Sequence, residues 1–200
     1  MYKRKVGDYI LPTDYDTTGV RVVYKNPLNT DTIGMIGNHI IFNCNITNET
    51  VSKIFETIKQ ISESYNIHKI SNCIYLHIGS FGGSLDSLNI FITTKNTVYP
   101  NLEIISVIEK NCNDAGFLLA ALCDYRIIKK NAICSMSVLN SDTKYWGAYI
   151  QGDNIKEKLE FIFDKSKYKV KKEKFMNYLS SNNTFKCRKM LKMGLIDEIY

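Results

Sequence analysis

Residues Cys73-Ile74-Tyr75-Leu76-His77-Ile78-Gly79-Ser80-Phe81-Gly82-Gly83-Ser84 carry the pattern that decides the fold. The first six alternate as a strand does when one of its faces is buried. Three glycines then break the run in a tight turn where backbone can approach backbone closely. Ser84 is placed to cap a helix, with Asp86 favourably set in its first turn. Leu85, Leu88, Phe91 and Ile92 recur at helical spacing and define its buried face, and Pro100 marks its exit.

The same strand-to-helix step repeats on both sides. Ile40-Ile41-Phe42-Asn43-Cys44 reads as a short strand. Thr47 is expected to cap the helix that follows, and Ile46 to staple onto Val51. Val51, Ile54, Phe55, Ile58 and Ile61 form that helix's apolar stripe. Downstream, Glu103 to Ile108 is a strand, followed by a short apolar helix from about 114 to 123 and strands near 125–129 and 132–138. Two charged amphipathic helices are expected within 153–180. Thr184 is expected to cap a last helix, which Gly194 stops. Such alternation predicts an α/β fold with parallel strand pairing. Residues 1–38, with Pro12 and Pro27, read as an N-terminal extension around one hairpin, and no linker divides 39–200.

Composition narrows the function. The net charge of +6 is spread over several segments, whereas a nucleic-acid footprint wants lysines clustered beside aromatics. The densest stretch, Lys165 to Lys174, reads as the solvated face of a helix. Six cysteines show no C-x-x-C spacing, and His39, His68 and His77 complete no zinc pattern. A reducing compartment, no metal and no cofactor are expected. No apolar run is long enough to span a membrane. Met1 to Lys5 is basic without an apolar stretch behind it, so no secretory signal is expected.

A second glycine turn lies thirty residues beyond the first, at Cys112-Asn113-Asp114-Ala115-Gly116-Phe117-Leu118-Leu119-Ala120-Ala121. Together the two turns resemble the active-site frame of the proteolytic subunit of the Clp protease. Tyr75 to Ser84 is similar to that family's Tyr-Leu-Tyr-Ile-Asn-Ser-Pro-Gly-Gly-Ser. The second turn resembles its nucleophile helix, Ser-Met-Gly-Ala-Phe-Leu-Leu. Asn131-Ala132 and the run to Ser137 resemble the segment that delivers the catalytic histidine. Tyr149-Ile150-Gln151-Gly152 resembles the start of its handle, and Gly194-Leu195-Ile196-Asp197-Glu198-Ile199 its closing Gly-Leu-Val-Asp-x-Ile. The resemblance runs from about Ile40 to the C-terminus. It implies a crotonase-like spiral of βαβ units over 39–200, a handle at about 138–170, and seven subunits in a ring.

The departures from the family bear on chemistry. Asn113 stands where the family has its serine, Ser137 where it has histidine, and Asn182 where it has the acid. A triad needs a hydroxyl nucleophile, an imidazole base and a carboxylate that orients it. Independently of any alignment, no histidine follows His77. The resemblance therefore implies a catalytically inactive, ClpR-type subunit. Its oxyanion-hole-like backbone would lie at Gly82, Gly83 and Asp114, and Tyr75 and His77 would belong to the docking pocket for an AAA+ Clp chaperone. The implied partners are further copies of the chain in a heptameric ring, active Clp peptidase subunits and the chaperone. The implied setting is an apicoplast or plastid stroma, otherwise cytoplasm. Ser181 and the run Leu139 to Lys144 replace the arginine and the glycine-rich turn by which family rings stack. Two other readings stay open. One is an active peptidase using Cys112 or a serine-lysine dyad through Ser135 or Ser137. The other is a crotonase-type acyl-CoA enzyme.

Overall fold

The computed structural model describes residues 22–25, 32–65, 73–136, 155–166, 170–179 and 183–200. Ser137, Asn182, Ser181, Leu139 to Lys144 and Tyr149 to Gly152 lie outside them.

The described residues form a mixed α/β fold with two sheets and six helices. The larger sheet begins with β1 (Val22–Lys25), β2 (Thr32–Ile36) and β3 (His39–Asn43), paired antiparallel in turn. From β3 the pairing becomes parallel through β4 (Cys73–Ile78), β5 (Glu103–Ile108), β7 (Tyr125–Ile128) and β10 (Glu198–Ile199). Beside it lies a small sheet of β6 (Asn111–Asn113), β8 (Ile133–Met136) and β9 (Asn183–Lys186). Residue 38 marks no structural boundary, because β2 turns through Gly37 directly into β3.

The helices are α1 (Asn48–Tyr65), α2 (Leu85–Val98), α3 (Ala115–Ala121), α4 (Ile155–Lys165), α5 (Lys172–Leu179) and α6 (Cys187–Met193). Successive side chains of a strand point to opposite faces of its sheet. On β4, Ile74, Leu76 and Ile78 join the helical core with Ile54, Leu88, Phe91 and Phe117. Cys73 and Tyr75 point the other way, into a second cluster with Ile105, Val107 and Ile127.

Local chemistry sets several element ends. Thr47 Oγ1 accepts from the Thr50 N–H at 3.1 Å, and Thr50 Oγ1 accepts from the Thr47 N–H at 2.9 Å. This reciprocal cap satisfies two donors that a helix start would otherwise leave without partners. Gly194, at φ 72°, ends α6, and the Leu195 N–H returns to the Met190 carbonyl at 3.0 Å.

Three sequence expectations change here. Ser84 holds the extended N-cap conformation of α2, but its hydroxyl makes no capping bond. Its backbone is drawn aside instead, the N–H donating to Ile46 O at 2.8 Å. Thr184 caps nothing: it lies within β9, opposite Ser135, and Lys186 takes the N-cap position of α6. The stretch Lys165 to Lys174 is not one helix face, because α4 ends at Lys165 and α5 starts at Lys172.

Candidate functional site

The two glycine turns meet at the carboxyl ends of β4 and β5, the end of a parallel sheet where α/β folds place their ligands. Ser80, 1% exposed, is the contact between them. Its carbonyl accepts the Asn113 N–H at 2.8 Å, and its hydroxyl lies 3.3 Å from Gly82 N. A Cβ on Gly116 would stand 2.6 Å from the Ser80 Cβ, so only glycine lets α3 pack there. Gly83 is constrained on its other side. At φ 137° it forms a parallel bridge with Ile46, and a Cβ there would lie 2.3 Å from the Ile46 carbonyl oxygen.

The sharp turn from β6 into α3 falls on Asp114, at φ 47° and ψ −116°. It is the one non-glycine residue with positive φ among those described. In α/β-hydrolases a strained strand-to-helix turn presents the nucleophile. Asn113, the residue the resemblance aligned with the serine, is instead a ladder residue of β6, paired with Ser135. Neither Asn113 nor Asp114 carries a hydroxyl, so moving the turn by one residue restores no serine.

The oxyanion-hole expectation is corrected at one donor. The Asp114 N–H is engaged by Ser135 O at 2.9 Å as part of the β6–β8 pairing. It cannot at the same time stabilise a developing oxyanion, which needs donors aimed at an empty position. Gly82 and Gly83 keep the conformations a close backbone approach requires, at φ 126° and 137°.

Cys112 is fully buried, and burial pushes its thiol up to about 12. It faces Cys134 across the small sheet, and Cys134 is raised for the same reason. A thiol that stays protonated inside the core is not a nucleophile. All six cysteines are buried. Among the described residues no group of histidine, cysteine and carboxylate side chains fits a metal ion. No described helix is long and apolar enough to cross a membrane.

The two aromatic positions expected to face a chaperone are both buried in the chain, Tyr75 7% and His77 5% exposed. The Tyr75 ring stacks on His39, with centroids 4.6 Å apart and planes 12° from parallel. His39 Nδ1 lies 2.8 Å from His77 Nε2, and His77 Nδ1 lies 2.9 Å from Glu109 Oε1. Sequence reading missed this chain of polar groups. His39 and Glu109 stand 38 and 32 residues from His77, and only the register of β3, β4 and β5 joins them. The alternation of β4 is the one local signal, since it puts Tyr75 and His77 on the same face.

Comparison of the chain with protein-family models matched none, and comparison with curated proteins found no relative.

Proposed function

We propose that the chain is a non-catalytic, ClpR-type subunit of a Clp protease assembly, with a crotonase-like spiral fold. It forms or joins heptameric rings and supports an active peptidase ring and its AAA+ chaperone. The observation that carries this reading is the strained Asp114 turn packed, through Ser80, against the Gly79 to Ser84 turn. In this reading the turn is a nucleophile frame whose tip residues, Asn113 and Asp114, carry no hydroxyl or thiol. Motif order over Ile40 to Ile199 supports the same reading. In this proposal the docking pocket uses Tyr75 and His77 only after the ring forms or the face opens, since both are buried in the single chain.

The test is a pair of assays on the purified chain. Fluorogenic peptides should not be cleaved, and a fluorophosphonate should leave every hydroxyl unlabelled. The chain should nonetheless be captured by an active Clp peptidase or its chaperone. Cleavage that tracks the protein through purification would sink the inactive-subunit reading. Failure to associate with either Clp component would sink the assembly reading while leaving inactivity intact.

A further inference from the structure

We propose that the basic end of the small sheet is a docking surface for an acidic segment of a partner protein that also carries apolar side chains. Its cations are far apart in the chain, and the strand register gathers them. Lys110 leads into β6, Lys129 and Lys130 lie between β7 and β8, and Lys186 ends β9. Three contacts draw these segments together. The Ile133 N–H donates to Lys110 O at 3.3 Å, Ile133 pairs with Lys186, and the Cys187 thiol donates to Lys130 O at 3.0 Å. Arg188 and Lys192 follow on α6, four residues apart and so on one face of it. All six cations are exposed.

The fold does not neutralise this charge. Among the described residues, Lys110, Lys130, Lys186, Arg188 and Lys192 make no ion pair. Lys129 has only a long one, its Nζ 3.8 Å from Glu109 Oε2, and Glu109 is already bound to His77. The other carboxylates at this edge are engaged as well, Asp197 by Arg126 and Glu198 by the Tyr125 hydroxyl. Lys189 is turned onto the Tyr178 and Phe185 rings. Like charges held side by side raise the free energy of the isolated chain, and opposite charge on a partner offsets that cost.

Two apolar residues lie among the cations and select the kind of partner. Ile133 stands between Asn111 and Lys186 on the outer face of the small sheet, and Leu191 adjoins Lys192 on α6. Both are exposed. Apolar contacts within a charged rim are the make-up of a protein–protein interface. A nucleic-acid surface would set aromatic rings among its cations for bases to stack on. The mainly exposed aromatics, Phe81 and Phe161, lie instead on the glycine turn and on α4. The surface needs no heptameric ring, so its test stands apart from that of the Clp reading.

The experiment is fluorescence anisotropy on the full chain with a labelled peptide of glutamates interspersed with leucines, at low and at physiological salt. The peptide should bind, and more weakly at the higher salt. Lys110→Glu, Lys130→Glu and Lys186→Glu combined should weaken binding about tenfold or more. Lys59→Glu, on α1, should leave it unchanged. The milder triple glutamine variant of the same three lysines should also bind more weakly. It should melt no lower than the parent, because it relieves like-charge repulsion. Ile133→Ser with Leu191→Ser should weaken binding severalfold at unchanged charge. A peptide that does not bind, or equal binding by the glutamate and glutamine variants, would overturn the proposal. So would an unchanged affinity after loss of Ile133 and Leu191, which would reduce the surface to charge alone. Tighter binding of a DNA duplex, single-stranded RNA or phosphatidylserine vesicles would overturn it by assigning the surface to another class of partner.

Discussion

At the scale of single residues, position inside the fold decides which groups can react. Cys112 has no exposure and a thiol pushed up to about 12. Iodoacetamide should therefore leave it unmodified in the native chain and label it once denaturant is added, which mass mapping of the labelled peptide checks. Rapid native labelling would reopen the cysteine-nucleophile reading. His39 behaves as the opposite kind of group, one whose charge the fold refuses. Its value falls from 6.5 to about 4, chiefly through burial. Between those values the unfolded chain binds more protons than the folded one. Stability is then complete above pH 6.5 and declines as pH falls toward about 4. Glu109, held below the usual carboxylate range first by its bond to His77, adds a loss in the same direction further into acid. The His39 contribution is on the order of 3 kcal/mol. Urea melts at stepped pH should show a shallower acid decline in His39→Gln. An identical slope in the variant would remove His39 as the source.

At the scale of elements, the closing motif shows what an ion pair inside a fold is worth. Gly194 ends α6, and Asp197 then meets Arg126 of β7, its Oδ2 at 2.8 Å from Nη2 and 3.1 Å from the Arg126 N–H. Both side chains are almost wholly buried, so removing one charge strands the other. Asp197→Asn should cost about 3 kcal/mol or more in unfolding free energy. Gly83→Ala should also be costly, about 2 kcal/mol or more, because its φ and the Ile46 backbone both exclude a Cβ. Denaturant melts of the two variants check both values. An Asp197→Asn chain as stable as the parent would mean that the pair only fixes the β7–β10 register. Much of this layer was legible in the sequence because its signals are local. The α1 stripe, the reciprocal cap at Thr47 and the stop at Gly194 each lie within a few residues. Other features answer to distant partners. Thr184 reads as a cap until β8 claims its backbone, and β6 has three residues with no pattern of its own. The candidate site divides in the same way. Its glycine turns stand out in the chain, but the strain at Asp114 and the His39–His77–Glu109 row exist only after the strands are in register.

At the scale of the whole molecule, the proposed ring makes the sharpest demand. Phe81, Ile133, Phe161 and Leu191 are 72%, 43%, 43% and 41% exposed in the single chain. Single exposed apolar residues are ordinary. Their partners must nonetheless be found if the chain assembles as proposed, because an assembly interface carries apolar residues at its core. The strand–helix frame and the Gly194 to Ile199 segment, which resemble the Clp peptidase, would keep the side-to-side contacts of a ring. Ser181 and the run Leu139 to Lys144 stand where the resemblance expects an arginine and a glycine-rich turn for stacking. The isolated chain should therefore run in native mass spectrometry as one ring of seven copies rather than two stacked rings. Mixing with an active Clp peptidase should give either stacked rings of different composition or subunits interleaved within one ring, and the masses separate these outcomes. A stable double ring of this chain alone would free Ser181 and Leu139 to Lys144 of any control over stacking. A monomer at micromolar concentration would count against the ring itself. The exposed side chains would then be ordinary surface, and the strained turn at Asp114 would need an explanation within a single subunit.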